Sequence, residues 1–275
     1  RSSSSFNAVV PPIPKPFTPG ACMSEDEMWV YFDNTLGRIG SMQAYLPVFK
    51  ESVMFGLQQL VDDNIQYVEL RIILGAMYDE NGTVYTHAQE LQIWLDTLRG
   101  SLLFLLNPTA ILSDLILLFD LILLVLLFPL DLSVTEFNAQ SVRKITMKFI
   151  YSTLRRFNPA TIYEQMLDCL ALQQQFPGQL LGYDLVDQED SFHSLYYYLD
   201  DFLKVQADLA RQGKPPLKFF FHAGETDWNN RYNLYDAFLL NATRIGHGFA
   251  MARYPKLLEL ARQRQVAIEV RESLH

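Results

Sequence analysis

The sequence predicts an α/β protein built on a parallel sheet, because short apolar runs alternate along the chain with stretches of helical character. Six runs have strand character: 67–74, 145–154, 180–186, 217–223, 243–250 and 266–270. Strands that are apolar on both faces are typical of parallel sheets covered by helices. Six such strands fit either a doubly wound sheet or part of a (β/α)₈ barrel. No glycine-rich phosphate loop follows any run, which counts against a dinucleotide-binding fold.

The chain before the first strand predicts an extended arm followed by two helices. Residues 1–23 are rich in Ser and Pro and lack the periodicity of a folded element. Ser24 is followed by three acidic residues within the next turn, the pattern of an N-cap and a helix start. A longer amphipathic helix is predicted over 47–63. The predicted organisation is an arm over 1–23 and one domain over 24–275.

One segment interrupts this pattern. Residues 115–132 are apolar enough to suggest a membrane span. Asp120 lies inside the run, however, and an Asp at the centre of a span costs roughly 2.5–3.5 kcal/mol. Pro129 and Asp131 also shorten the clean stretch below the ~20 residues that cross a bilayer. We therefore expect an apolar insertion at about 100–133, and not a membrane helix.

Composition excludes some functions and partners. Of the 275 residues, 31 are acidic and 22 basic, giving a net charge of −9, and we expect no nucleic-acid binding. The only cysteines, Cys22 and Cys169, exclude a disulfide framework and a thiolate zinc cluster. Sequons at Asn81 and Asn241 would allow glycosylation of a secreted chain. The first residues contain no apolar core of a signal peptide, so such a peptide is absent or removed.

Ionisable residues lie at the ends of several predicted strands. They are Glu69, Asp184, His222 and His247. Barrel enzymes build their active sites from residues at the carboxyl ends of the strands. His222 could bind a metal, and Glu225, three residues on, could carry a proton if its pKa were raised. The alternative is a structural histidine bonded to the carboxylate or the backbone.

The sequence around His247 favours the functional interpretation. Gly246 and Gly248 flank this histidine, so backbone can approach it closely on both sides. Two successive strand ends, each with a histidine beside a glycine, are not expected from packing alone. Arg244, at the start of the same strand, is predicted to be a structural ion-pair partner.

The two motifs together resemble the adenosine deaminase superfamily. The matching runs are "FFFHAGETDW" at 219–228 and "TRIGHGFA" at 243–250. Further runs resemble the secreted branch of that superfamily, the adenosine deaminase-related growth factors: "DEMWVYF", "GRIGSMQAYLPVF", "DDNIQYVELR", "KFIYSTLR" and "GYDLVDQEDSFHSL". The resemblance covers roughly 26–99 and 134–270 and implies an extracellular location, with a homodimer as one allowed assembly.

The resemblance implies a (β/α)₈ barrel in which one zinc ion activates the water that converts adenosine to inosine and ammonia. By resemblance His222 would be a zinc ligand, Glu225 would protonate the purine ring, and His247 would orient and deprotonate the water. Gly224 would donate its backbone N–H to the purine, and Trp29 would contact the substrate. Supporting structural roles are expected for three further residues in matching runs, Glu69, Asp184 and His193.

The chain departs from the family pattern in two places. The family takes its other zinc ligands from a His-x-His pair on the first strand and an aspartate on the eighth. The five histidines, at 87, 193, 222, 247 and 275, include no pair spaced by one residue. About six of the eight strands are accounted for, so the prediction is a partial barrel. The leading hypothesis is therefore an adenosine deaminase-like hydrolase with an incomplete zinc site. The alternative is an inactive secreted protein that binds nucleosides or acts as a growth factor.

Overall fold

The computed structural model describes residues 24–106, 145–226 and 232–269, and these form parts of two compact units. The first unit contains 24–64 and 75–106, and the second contains 65–74, 145–226 and 232–269. The predicted arm over 1–23 and the apolar run at 115–132 lie outside the described residues. Within the described ranges, no helix combines the length and the apolar character that a membrane crossing requires.

The first unit is helical. Helix α1 covers Glu25–Gln43, α2 covers Leu46–Asp62 and α3 covers His87–Leu106. The predicted cap is confirmed, because Ser24 Oγ accepts from the Glu27 N–H and the Glu27 carboxylate accepts from the Ser24 N–H at 2.9 Å. Helix α3 continues past residue 100, the predicted start of the insertion, to Leu106, and the rest of that insertion lies outside the described residues.

Helices α2 and α3 pack on each other. The rings of Phe49 and Trp94 meet edge to face with centroids 4.6 Å apart. Glu90 of α3 is buried and its carboxylate accepts from the N–H groups of Gly75, at 3.0 Å, and Met77, at 2.7 Å. This carboxylate therefore ties the loop before α3 to the helix itself.

The second unit contains the parallel strands. They are β1 Tyr67–Ile72, β2 Thr146–Leu154, β3 Leu180–Val186, β4 His222–Ala223, β5 Arg244–His247 and β6 Ala267–Glu269. The intervening helices are α4 Pro159–Gln175, α5 Leu199–Arg211, α6 Tyr232–Leu239 and α7 Pro255–Arg264. Short 3₁₀ helices cover Leu195–Tyr198 and Phe249–Arg253. The predicted alternation of strand and helix is confirmed.

All paired strands run parallel. The order is β1-β2-β3 in one set and β4-β5-β6 in the other. Tyr67 lies opposite Thr146 on β2, and Ser152 of β2 lies opposite Asp184 of β3. His222 of β4 lies opposite Gly246 of β5.

The predicted strand over 217–223 is largely wrong as a regular strand, because only its last part, β4, is one. The preceding residues are extended and bonded on both sides: Phe220 N–H donates to Tyr183 O on β3, and Thr243 N–H donates to Phe219 O. A Cβ on Gly182 would lie 2.2 Å from the Lys218 carbonyl oxygen, so this close approach requires glycine. The segment 217–221 thus joins the two sets of strands.

The predicted strand over 243–250 also ends early, at His247. His247 and Gly248 adopt left-handed backbone angles, with φ of 66° and 61°, and a 3₁₀ helix follows. Residues with φ in this range cannot continue a strand. The turn therefore ends β5 at the histidine.

The core of the second unit lies between the strands and the helices that cover them. Phe202 of α5 packs against Phe219 and Phe221, with ring centroids 5.3 Å and 5.0 Å apart. On α4, Ile162, Met166 and Cys169 are fully buried. Burial of each such side chain contributes about 1.5–3 kcal/mol. This packing fixes the strands whose ends carry the ionisable residues.

Candidate active site

His222 is held at the end of β4 by the carboxylate of Asp184 on β3. Its ring Nδ1 lies 2.6 Å from Asp184 Oδ2, and its backbone N–H donates to Asp184 Oδ1 at 2.9 Å. Asp184 is completely buried. Two contacts from one carboxylate fix both the backbone and the ring, and they leave Nε2 as the ring nitrogen that Asp184 does not engage.

The Asp184 carboxylate also belongs to a network of ion pairs in which acidic and basic side chains alternate. Arg71 Nε donates to Asp184 Oδ2 at 2.7 Å, and Arg71 Nη1 lies 2.8 Å from Glu269 Oε2. Burial alone would raise the pKa of Asp184, but His222 and Arg71 outweigh it and the net pKa is lowered. Asp184 is therefore an ionised carboxylate beneath His222.

Arg244 extends the same network of ion pairs. Its guanidinium donates to both Glu69 on β1 and Glu269 on β6. The predictions of an ion-pair role for Arg244 and a supporting role for Glu69 agree with these contacts. Because side chains of β1 meet side chains of β5 and β6, the strands must curl toward one another on the side where these charges lie.

Glu225 and His247 form a second pair. His247 Nε2 lies 3.3 Å from Glu225 Oε1, and the rings of His222 and His247 have centroids 4.9 Å apart. Both side chains are partly exposed, at 26% and 22%. A Cβ on Gly246 would lie 3.3 Å from Arg71 Nη2 and 3.5 Å from His222, so glycine gives the two side chains room. The residues predicted at the two strand ends are thus brought together.

Both members of this pair have strongly shifted pKa values. Burial raises the pKa of Glu225 to about 7, with Glu189 adding to the rise and His222 opposing it. Burial lowers the pKa of His247 to about 4, helped by His222. Near neutral pH, Glu225 is therefore present both protonated and ionised, whereas the imidazole of His247 is neutral. Opposed shifts of this size on neighbouring groups are characteristic of acid–base sites.

Glu189, which sequence reasoning missed, holds the turn between His222 and Glu225. Its buried carboxylate accepts from Gly224 N–H at 3.0 Å, from Glu225 N–H at 2.9 Å and from Asn233 Nδ2 at 2.8 Å. The N–H of Gly224 is therefore engaged by Glu189. The predicted donation of this N–H to a purine conflicts with that contact.

Arg155, at the end of β2, is a second residue that the sequence did not reveal. Its side chain is completely buried, and Nη2 donates to the carbonyl oxygens of Leu185, at 3.1 Å, and His222, at 3.0 Å. The Tyr198 hydroxyl in turn donates to the Arg155 carbonyl at 2.6 Å. Arg155 thus connects the backbone of β3 to that of β4 at His222.

Two other predicted residues make aromatic contacts of their own. Trp29 is in α1 of the first unit, where its ring contacts Phe32 edge to face at 5.7 Å. His193 stacks on Tyr197 at 3.9 Å, which agrees with a supporting role. The substrate contact of Trp29 remains a prediction.

The described residues do not make a zinc site. His222, oriented by Asp184, has the arrangement of a metal-binding histidine. Among the residues described, however, no group of three or more His, Cys, Asp or Glu side chains is placed to hold a metal ion. Zinc sites in proteins use three or four protein ligands. One imidazole does not fit that requirement.

The fold resembles that of several solved deaminases and an amidohydrolase. The solved structures that resemble it include the N6-methyl-AMP deaminase from Arabidopsis thaliana, with a TM-score of 0.54 and 16% identity, covering 90% of this chain and 58% of that one. The adenine deaminase from Arthrobacter aurescens has a TM-score of 0.51 at 14% identity, covering 88% and 56%. A zinc-bound amidohydrolase from Burkholderia ambifaria has a TM-score of 0.52 at 14% identity, covering 82% and 48%. The fold is that of these deaminases and amidohydrolases.

Sequence comparison is more specific. Adenosine deaminase 2 of Dictyostelium discoideum is 30% identical over 243 residues, which are 88% of this chain and 38% of the relative. Adenosine deaminase of Aedes albopictus is 31% identical over 254 residues, 91% of this chain and 39% of the relative. No protein-family model matches the chain. The chain is a homologue of the adenosine deaminases, adenosine deaminase 2 among them, and spans about two fifths of the length of these relatives.

Proposed function

We propose that the second unit carries the acid–base part of an adenosine deaminase-like hydrolase. The observation that carries this proposal is the pairing of Glu225 and His247, at 3.3 Å, beside a histidine that Asp184 holds at the neighbouring strand end. The homology to adenosine deaminases supports adenosine as the proposed substrate, with inosine and ammonia as the proposed products. The six strands are then part of a (β/α)₈ barrel, with the site at the carboxyl ends of the strands.

Glu225 and His247 have complementary roles in this proposal. Glu225, with a pKa of about 7, donates a proton to a ring nitrogen of the purine while water adds to the carbon that bears the amino group. His247, with a pKa of about 4, is neutral and accepts a proton from that water. Burial of the carboxyl keeps the proton on Glu225 at a pH where an ordinary glutamate has lost it.

His222 is proposed as one metal ligand through Nε2, but it supplies too few donors by itself. Since the described residues do not fit a zinc ion, no step of the reaction is assigned to one. We expect the chain alone to bind zinc weakly and to show no measurable deamination. By the same homology, we propose an extracellular protein that acts on a small nucleoside. The net charge of −9 and the polar interruptions of the run at 115–132 are our reasons to propose that it binds neither nucleic acid nor membrane.

The test measures zinc and inosine on the same sample. Purified chain is equilibrated with zinc, dialysed and assayed by elemental analysis and by inosine formation from adenosine. The account expects much less than one zinc per chain and no steady turnover. Zinc near one equivalent, retained after dialysis, would contradict the single-ligand interpretation.

The proposed site also predicts binding of a purine analogue. Glu225→Gln should weaken binding of a non-reactive purine nucleoside by about 1 kcal/mol, or roughly fivefold, since a hydrogen bond from a protonated carboxyl is replaced by a weaker one from an amide. Glu259→Gln, in an exposed pair with Lys256, is the matched control and should have no effect. Equal affinity of the two variants would remove Glu225 from the site.

A further inference from the structure

A cavity of about 390 Å³ lies on the connection that follows β3. The described residues that line it are Ser194, Tyr196, Tyr197, Leu199 and Asp200. None of them belongs to the charged cluster around His222. The lining combines two aromatic rings, one aliphatic side chain, one hydroxyl and one carboxylate. This is the composition of a site that recognises a cation with a carbon chain attached.

Neighbouring aromatic rings hold Tyr197, one of the two tyrosines that line the cavity, in a fixed position. Tyr197 stacks on His193 with ring centroids 3.9 Å apart and planes 12° from parallel. The ring of Tyr198 meets Tyr197 edge to face at 4.9 Å. Tyr198 is itself buried and its hydroxyl donates to the carbonyls of Arg155 and Phe157. A ring fixed in this way loses little conformational entropy when a ligand binds.

Both tyrosines that line the cavity are exposed to solvent. Tyr196 is 68% exposed and Tyr197 is 47% exposed, although both are large aromatic side chains. His193 covers one face of Tyr197, so the aromatic surfaces that a ligand can reach are the ring of Tyr196 and the exposed part of Tyr197. Their π-electrons make these faces attractive to a positive charge.

Asp200 supplies the opposite charge. It lies in the first turn of α5, and within the described part of the chain no ion pair or hydrogen bond engages its carboxylate. The ammonium group of Lys204, one turn further along α5, lies instead over the ring of Tyr163 at 3.9 Å. Burial raises the pKa of the neighbouring Asp201, the charge of Lys204 opposes this rise, and the negative charge of Asp200 adds to it.

We propose that this cavity binds an alkylammonium or alkylguanidinium group, with the carboxylate of Asp200 pairing with the charge and the tyrosine rings covering the carbon chain. The net charge of −9 on the whole chain favours the approach of such a cation. A free amine and the side chain of a lysine or arginine offer the same chemistry. The proposal does not depend on deaminase activity.

The test is an NMR titration of the tyrosine rings in the full chain. The probes are ethylguanidinium chloride, propylammonium chloride and a blocked Gly-Arg-Gly peptide, each compared with sodium chloride at equal ionic strength. Saturable shifts of the Tyr197 ring at millimolar concentrations are expected for the organic cations and not for sodium. Tighter binding of the peptide would assign the site to a protein side chain, and equal binding would assign it to a free amine.

Matched variants decide whether the cavity itself is responsible. Asp200→Asn should weaken binding about three- to fivefold, whereas Asp201→Asn, which removes the same charge one residue away and does not line the cavity, should have a smaller effect. Tyr196→Leu should weaken binding about two- to fivefold and leaves the His193–Tyr197 stack in place. Equal losses in Asp200→Asn and Asp201→Asn, or shifts matched by sodium chloride, would overturn the proposal.

Discussion

The parallel strands form two halves, β1-β2-β3 and β4-β5-β6, and the first half is the more regular because its strands pair over more residues. The proposed acid–base residues lie in the second, less regular half. Strands β1, β2 and β3 pair over long registers, such as Tyr67 to Ile72 against Thr146 to Tyr151. Strands β4 and β5 pair over only two positions, and the backbone turns left-handed at Gly224, His247 and Gly248. Glu225 follows β4 and His247 ends β5, whereas Asp184 on β3 and Arg71 on β1 are the charges that hold His222 beside them.

This division has a physical reason. His247 presents its side chain where the backbone leaves β5, with φ of 66°. Such a backbone cannot also contribute a long ladder of hydrogen bonds. The regular half therefore provides the support, through Asp184 on β3, Arg155 after β2 and Arg71 on β1.

The largest expected effect comes from breaking that support. Asp184→Asn keeps the size of the side chain but removes the charge that pairs with Arg71 and His222. Breaking a buried ion pair from one side costs about 3–5 kcal/mol, so we expect the free energy of unfolding to fall by about 3 kcal/mol in urea denaturation. Asp96→Asn is the control, because both members of its pair with Arg99 are exposed, at 57% and 37%, and it should cost less than about 1 kcal/mol. Similar losses in the two variants would mean that the buried charges do not support the site.

A smaller effect, of opposite character, is expected at Glu225. Folding raises its pKa from 4.5 to about 7, so its contribution to stability is complete below pH 4.5 and is lost as the pH rises through 7. Relative to the parent, Glu225→Gln should therefore gain about 2–3 kcal/mol of stability between pH 4.5 and pH 8. The measurement is urea denaturation of both chains across that range.

For His247→Asn, we expect the stability difference from the parent to depend on pH in the opposite direction. Folding lowers the pKa of His247 from 6.5 to about 4, so its contribution is complete above pH 6.5 and is lost as the pH falls through 4. Asn tolerates the left-handed backbone at this position. A flat difference between parent and variant for both positions would show that the pair is not buried in solution.

The smallest effect tests the junction between the two halves. Gly182→Ala would place a Cβ 2.2 Å from the Lys218 carbonyl oxygen, so the extended segment before β4 must move. We expect a loss of about 1–3 kcal/mol in thermal or urea unfolding. Gly40→Ala in α1 meets nothing within 4 Å and should gain up to about 1 kcal/mol, as alanine favours a helix over glycine. Tolerance of Gly182→Ala would show that the junction is looser than the contacts indicate.

The candidate site residues of the less regular half were easier to predict from sequence than the residues that support them. His222, Glu225 and His247 stand beside glycines at the ends of apolar runs, and this local pattern was sufficient to predict them. Their supporting residues are distant in sequence: Glu189 is 35 residues from Gly224, Arg155 is 67 from His222, and Arg71 is 113 from Asp184. Such contacts depend on strand register, which a single sequence does not specify. The late start of β4 and the early end of β5 were also missed, because strand propensity reports neither how a segment pairs nor where the backbone turns left-handed.

Our proposal rests on Glu225 and His247 being a partly buried acid–base pair with opposed pKa shifts. A ¹³C NMR titration of the glutamate side-chain carboxyl carbons and histidine rings tests it most directly, with Glu225→Gln and His247→Asn used to assign the two signals. The account predicts a midpoint of about 7 for Glu225 and about 4 for His247. Midpoints near the ordinary values of about 4.3 for a glutamate and about 6.5 for a histidine would contradict it.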